Sequence, residues 1–375
     1  MDPVIGLLRD LIAIDSVNPS LVPGASGERM IADFVAHELG ASGLDVEVRE
    51  AAPGRPNVVG VLEGRSSGSA LMLCGHLDTV GVTGMADPFT PVERDGRVYG
   101  RGAQDMKGGV AAMLAAARQL AAGGLASGRL IIAAVADEEH ASIGAEALVR
   151  GFTADAAVVT EPTALDVVVA HKGFAWLDIE VFGKAAHGSR PDEGQDAIVR
   201  MGRVLGALED LDRALRSRPP HPIIGTGSLH ASIISGGHEL SSYPAHAQLQ
   251  MERRTIPADA DAPLGDVQAI LDRLTLDDPS FRASARLAFE RPPYELLSGH
   301  PLPQMLGDVL AKAGRSCRVG GTTFWTDAAI LGQAGIPSIV FGPGGAGLHS
   351  TVEYVNVADV LACRDALIGL ARAFC

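Results

Sequence analysis

The chain has 375 residues, 47% of them hydrophobic and 20% charged, so there is material for a buried core, a disordered chain is excluded, and two domains or one carrying an insertion are expected. A formal charge of −14 with no basic run repels a phosphate backbone and offers no hold on anionic lipid, which argues against nucleic-acid and membrane partners. Cys74, Cys317, Cys363 and Cys375 form no CxxC pair, so a disulfide framework or thiolate zinc site is disfavoured and a reducing cytoplasm fits.

Val4, Ile5, Leu7, Leu8, Leu11, Ile12 and Ile14 recur at helical spacing, predicting an opening amphipathic helix, with a second over 28–39. Asp2, Arg9 and Asp10 interrupt the first helix, unlike a secretory segment, and no run approaches the ~20 apolar residues of a membrane span, so a cytoplasmic location is expected. Short runs rich in Val, Leu and Ile follow at 57–64, 70–78, 129–139 and 156–162, each ending in polar or glycine-rich residues, with helical stretches at 107–120 and 144–150 between them. Strands without polar alternation, separated by helices, predict an α/β sheet covered on both faces.

From about Gly173 the pattern changes. GFAWLDIEVFG alternates, 192–215 has helical periodicity, two more alternating strands follow (SLHASIISG and AHAQLQMERRTI), then a helix at 264–274 and a strand at 283–289. Such an order reads as an α+β unit with an antiparallel sheet. The first pattern then returns in helices at 303–313 and 326–334, a buried strand at 338–342 and a helix from Ala358. The expectation is a first domain of residues 1–172 and 289–375 interrupted by an inserted domain, 173–288.

Several buried strands end on metal-ligand residue types. ALMLCG leads to His76 and Asp78, IIAAVAD to Glu138 and Glu139, AAVVT to Glu161, and the last strand through GPGGAG to His349, while Asp105 sits in a loop entering a helix. Ligands of α/β sheets collect outside the carboxyl ends of the strands, so these residues can converge. Two histidines with three carboxylates suit Zn²⁺ or Co²⁺ better than Mg²⁺ or Ca²⁺. Five ligands exceed one tetrahedral zinc but serve two ions that share a carboxylate, and one of the paired glutamates is then free for proton transfer. Cys74, two residues before His76, reads as a small apolar residue of the sheet.

HLDTV at 76–80, GRGAQDMKGG at 100–109, DEEHAS at 137–142, TEPT at 160–163, KAAHGSRP at 184–191, ERRTIP at 252–257 and GLHSTVEYV at 347–355 together resemble the M20 metallopeptidase family, which contains acetylornithine deacetylase, succinyl-diaminopimelate desuccinylase, aminoacylase and glutamate carboxypeptidase. The resemblance covers nearly the whole chain, with the motifs in family order. It implies a mixed-sheet α/β catalytic domain with an inserted α+β lid and dimerisation domain, two Zn²⁺ per subunit (Co²⁺ or a mixed pair being alternatives), and a homodimer formed through the lid.

The family pattern makes Asp105 the bridging carboxylate, with His76 and Glu161 completing one metal site and Glu139 and His349 the other. Glu138 is the general acid/base, Asp78 orients His76, and His187 reaches across the dimer to the oxyanion. The Asp105–Met106 bond corresponds to a cis peptide of the family. Arg253 or Arg254 matches the position that binds the substrate carboxylate, and strand alternation allows only one of them to face the site. Gly344 and Gly345 are candidates for further backbone donors to that anion. Ser241 stands where many members carry asparagine, a departure that bears on substrate choice. His140, His171, His230, His238 and His246 read as structural or surface residues, substrate contact by His171 and Lys172, which precede the expected hinge, being the alternative.

The function expected is hydrolysis of a small N-acyl amino acid by metal-bound hydroxide, of the acetylornithine deacetylase and desuccinylase kind, since TEPTALDVVVAHKG resembles that branch. A dipeptidase or glutamate-carboxypeptidase-like peptidase is the alternative. A non-catalytic binding protein on the same fold is disfavoured because all seven catalytic positions hold competent residue types.

Overall fold

The computed structural model describes residues 2–259 and 263–375, which divide into two compact units. The first comprises the chain up to Val169 with Leu296–Gly320 and Thr326–Cys375; the second comprises Ala170–Glu295 and Gly321–Trp325.

In the first unit Pro3 opens the helix Pro3–Ala13, and the Asp2 carboxylate accepts the Val4 N–H at 3.0 Å. Proline has no amide proton to leave unsatisfied at that position, and an aspartate cap suits a helix start. Val4, Ile5, Leu7, Leu8, Leu11 and Ile12 form the buried stripe. The part of the sheet within this unit runs Asp45–Ala52, Arg55–Glu63, Arg129–Val135, Ala70–His76, Ala156–Val159 and Ser338–Val340, followed by the first three residues of the strand Val167–His171. Arg129–Val135, Ala70–His76, Ala156–Val159 and Ser338–Val340 are mutually parallel, and the flanking pairs are antiparallel, which makes the sheet mixed. Leu71 to His76 are all buried, so both faces of that strand are covered. The helix Gly108–Gly123 packs against Pro3–Ala13 and Val357–Phe374. Each fully buried leucine of this core contributes about 1.5–3 kcal/mol.

Register decides what happens at the carboxyl ends. His76 pairs with Val135 and Cys74 with Val159, so three adjacent parallel strands finish at one level. A separate small sheet, Gly345–Ala346, Tyr354–Asn356, Arg97–Tyr99 and Val92–Arg94 in that order, draws the segment after His349 against the loop that carries Asp105.

The second unit is a four-stranded antiparallel sheet ordered Ser228–Gly236, His246–Thr255, Gly173–Phe182, Arg282–Arg291. Leu177, Ile179, Val181, Leu249 and Met251 form a core with Met201, Val204 and Leu208 of helix Ala197–Ser217 and Val267 and Leu271 of helix Pro263–Asp277. Both helices therefore cover one face of the sheet. Among the described residues no helix is long and apolar enough to cross a membrane.

Candidate metal centre

Each ligand candidate of the first unit is delivered by a strand end or a loop fastened to one. His76 is the last residue of its strand, Glu138 and Glu139 follow Arg129–Val135, and Glu161 follows Ala156–Val159. His76 Nε2 lies 3.1 Å from Asp105 Oδ1, 3.6 Å from Glu161 Oε1 and 3.9 Å from Glu138 Oε2. The other Asp105 oxygen, Oδ2, is 3.3 Å from His349 Nε2, which is 3.1 Å from Glu139 Oε2. The His76 Nδ1 faces the Asp78 carbonyl at 2.9 Å. A carbonyl can only accept, so Nδ1 carries the proton and Nε2 is left as the ligating nitrogen.

Ligand atoms of His76, Asp105 and Glu139, and of His76, Glu138 and Glu161, fall within 4.8 Å of one another. Without a cation the carboxylates oppose one another. Burial and then the Glu161 charge push the Glu138 carboxyl well up, and burial and then Asp105 do the same to Glu161. Burial and Asp105 raise Glu139 to about 7. His349 is raised to about 10 by its bonds to Asp105 and Glu139. Glu139 Oε1 is buried with no hydrogen-bond partner among the described residues. Crowded carboxylates, an orphaned buried oxygen, the buried His76 imidazole and the half-exposed His349 imidazole facing them fit divalent cations. Asp137 (φ 69°) and His349 (φ 57°) hold left-handed backbone beside these ligands, where local strain is often concentrated. The Asp105–Met106 peptide is cis.

Asp78 does more than sit beside His76. Its carboxylate is 3.6 Å from Nδ1, but Oδ1 accepts the Glu138 N–H at 3.1 Å and Oδ2 accepts the Glu139 N–H at 3.2 Å and Asn18 Nδ2 at 2.7 Å. Arg55 donates to both Glu28 oxygens at 2.6 Å and to Asp137 at 2.8 Å, and Asn18 also donates to Asp137. This buried network fixes the turn that presents both glutamates. Asn18, Glu28 and Arg55 carry no metal-ligand spacing, and the pattern of the chain does not single them out. Asp327 is a further buried acid whose charge helps to raise Glu138 and Glu161. Cys74 is fully buried and its thiol is pushed well up, so it behaves as an apolar residue.

Gly345 pairs with Val355 in the small sheet, and the Gly344 carbonyl accepts the Asn356 N–H at 2.9 Å. In the second unit His187 is exposed, with Nδ1 2.8 Å from Ser189 Oγ. His187 bridges to Ser242, and the Ser241 carbonyl accepts the Gly188 N–H at 2.6 Å, so His187 and Ser241 share one corner. The two arginines separate as alternation requires. Arg253 is 1% exposed on the helix-covered side, 3.5 Å from Asp259 and 3.6 Å from Asp266. Arg254 lies on the other face, partly exposed, bonded to Glu252 at 2.7 Å and stacked on Phe174. His171 is buried against Tyr294 and Trp325. The Lys172 ammonium donates to the Thr226 carbonyl at 2.6 Å.

Residues 72–373 match the pattern described as Peptidase family M20/M25/M40. The chain is 32% identical to an acetylornithine deacetylase of Myxococcus xanthus over 98% of this chain and 96% of that one. It is 32% identical to an acetylornithine deacetylase of Edwardsiella ictaluri over 99% and 97%. Among solved structures, a tripeptidase of Staphylococcus aureus matches with a TM-score of 0.84 at 21% identity, over 99% of this chain and 97% of that one. A dinuclear metal-binding peptidase of the M20 family from Bacillus subtilis matches at 0.76 and 14% identity, over 99% and 97%. The structural matches speak for the fold, and the match over residues 72–373 for the family. The chain belongs to peptidase family M20/M25/M40 and is a hydrolase of amide or peptide bonds.

Proposed function

We propose that the protein is a dinuclear metal-dependent amidohydrolase that removes the acyl group from a small N-acyl amino acid. One relationship carries the reading: Asp105 turns Oδ1 toward His76 at 3.1 Å and Oδ2 toward His349 at 3.3 Å. A carboxylate so shared suits two ions, one held by His76, Asp105 and Glu161, the other by Asp105, Glu139 and His349. Zinc is the favoured metal, with cobalt or a mixed pair as alternatives. Once bound, the ions acidify water and polarise the scissile carbonyl.

Glu138, 3.9 Å from His76 and grouped with it and Glu161, is the glutamate assigned here to proton transfer from water to the departing amine, with Glu139 kept as the ligand beside His349. Asp78 holds the Glu138 backbone, and therefore the direction of the Glu138 carboxylate. Arg254, on the partly exposed face, is the residue proposed for the substrate carboxylate, a task suited to an arginine fork. Gly344, Gly345 and Ser241 are kept as substrate-binding candidates, and His187 of a second copy as the oxyanion donor in a homodimer joined through the inserted unit. The free cysteines accord with a reducing cytoplasm.

The acyl-amino-acid reading is supported by the two deacetylases, each matched over nearly its whole length. Its test is free-amine release by the Zn²⁺- or Co²⁺-loaded protein from N-acetyl, N-formyl and N-succinyl amino acids beside plain dipeptides, with Glu138→Gln as the blank. Release from one acyl class, dependent on Glu138, is the expected result. Release from dipeptides alone would replace it with a peptidase, and a protein that binds no metal would remove the mechanism altogether.

A further inference from the structure

Arg101 and Glu353 form a buried pair, 3% and 1% exposed, joined at 2.6 Å. Every polar direction of the Glu353 carboxylate points into the loop that carries Asp105. Oε1 accepts the N–H groups of Gln104 at 2.8 Å and Asp105 at 3.1 Å, and Oε2 accepts Gly102 N–H at 3.0 Å as well as the Arg101 guanidinium. The second terminal nitrogen of Arg101 donates to the Ser350 carbonyl and the Gly81 carbonyl, both at 3.0 Å. Ser350 follows His349 directly, and Gly81 lies five residues after His76 in the segment that leaves its strand. One ion pair thus ties together the three segments that bring His76, Asp105 and His349.

Stability alone is a poor reason for such a pair. Taking two charges out of water costs nearly as much as their attraction returns, and apolar side chains often serve a core as well or better. What an apolar substitute cannot do is hold three backbone amides of one loop in a fixed direction. Gly102 already needs left-handed backbone, φ 79°, to present its amide there.

Resting on the dinuclear reading above, we infer that Arg101 and Glu353 are positioning residues that set the spacing of Asp105 from His349 and thereby the affinity of the ion those two share with Glu139. Neither side chain touches a reacting atom; Glu353 acts through the Asp105 amide and its neighbours, and Arg101 through the backbone next to His349 and after His76. Outer residues that aim ligands typically account for 10–100-fold in metal affinity.

The test is stepwise calorimetric titration of metal-free protein with Co²⁺, the visible absorption of each bound ion being recorded, together with the melting temperature of the metal-free form. Glu353→Gln keeps the size of the side chain and one acceptor oxygen but loses the charge. Arg101→Lys keeps the charge but cannot reach Glu353, Ser350 and Gly81 at once. Both variants should bind one ion nearly as the parent does and the second about 10–100-fold more weakly, with the second ion's spectrum altered. The metal-free melting temperature should fall in both, more in Glu353→Gln, which leaves the buried guanidinium without its carboxylate. Two ions bound as tightly as in the parent would overturn the inference. So would equal weakening of both ions, which is the signature of a purely structural pair. A parent that binds fewer than two ions would fail at the first titration, removing the dinuclear reading and this inference with it.

Discussion

Asp105 meets His349 at 3.3 Å through the oxygen it does not offer to His76, so one side chain on the loop before helix Gly108–Gly123 faces histidines from opposite ends of the chain. If two ions share that carboxylate, Asp105→Ala should lower metal content from two to less than one per chain after dialysis. Turnover should fall by more than the roughly 100-fold typical of an outer residue. Elemental analysis of the dialysed variant decides this, and two ions retained would refute the sharing.

Glu138 differs from its neighbour in what it should cost. Glu138→Gln should keep both ions and lose about 10²–10⁴-fold in kcat, the range for a positioned general acid/base. Glu139→Gln should lose metal first and activity as a consequence. Parallel metal analysis and steady-state kinetics separate the two patterns.

Asp78 accepts the amide protons of both glutamates and the Asn18 side chain. Asp78→Ala should therefore weaken metal binding or turnover by about 10–100-fold, and Asn18→Ala should act in the same direction with a smaller effect. Competition for zinc with a chelator of known affinity measures it. An Asp78→Ala protein with parental affinity and kcat would show the network to be ornamental.

Gly109 marks a close approach between the helix after Asp105 and the strand end before Glu161. A Cβ there would meet the Thr160 carbonyl oxygen at 2.0 Å, backbone that cannot step aside. Gly109→Ala should cost about 1–3 kcal/mol, as overpacking does. Gly6→Ala, in helix Pro3–Ala13 with nothing within 4 Å, should instead gain about 0.5–1 kcal/mol. Denaturant midpoints of the two variants should move in opposite directions.

His171 supplies a pH dependence. Burial lowers it from 6.5 to about 4, against a smaller opposing effect of the Lys172 carbonyl. As pH falls through 6.5 the unfolded chain takes up a proton that the folded chain accepts only near 4, so the unfolded state binds more protons in that window. Stability is full above 6.5 and declines by roughly 3 kcal/mol as pH falls through 4. His171→Phe should remove this part of the decline. Denaturation curves at pH 7 and pH 4 for parent and variant test it, and equal losses in both would exclude His171 as the source.

How much of this was readable in the chain follows from which forces are local. The buried parallel strands announce themselves because both faces are covered, so their residues are apolar without alternation. The polar residues at their carboxyl ends then mark where a site can form, and His76, Glu138, Glu139 and Glu161 lie there. The alternation of the second unit and the periodicity of its helices likewise gave its antiparallel sheet and covering layer. The edge strand Asp45–Ala52 does not stand out, because it is largely exposed and only Val46 and Val48 alternate with its charged Asp45, Glu47 and Arg49.

Tertiary structure alone decided the rest. Alternation separates Arg253 from Arg254 but cannot say which faces inward; the acids Asp259 and Asp266 on the helix-covered side decide it. Asp78 comes two residues after His76, yet its carboxylate serves the glutamate turn, because the two neighbouring strands end at one level. Arg101 and Glu353 occur within the very motifs that carry the family resemblance, but no spacing rule pairs them. Their meeting depends on the small sheet that lays Tyr354–Asn356 beside Arg97–Tyr99. The order of residues determined which side chains end each strand, since that follows from local burial; which of them face one another was decided by strand order and register, which no single segment contains.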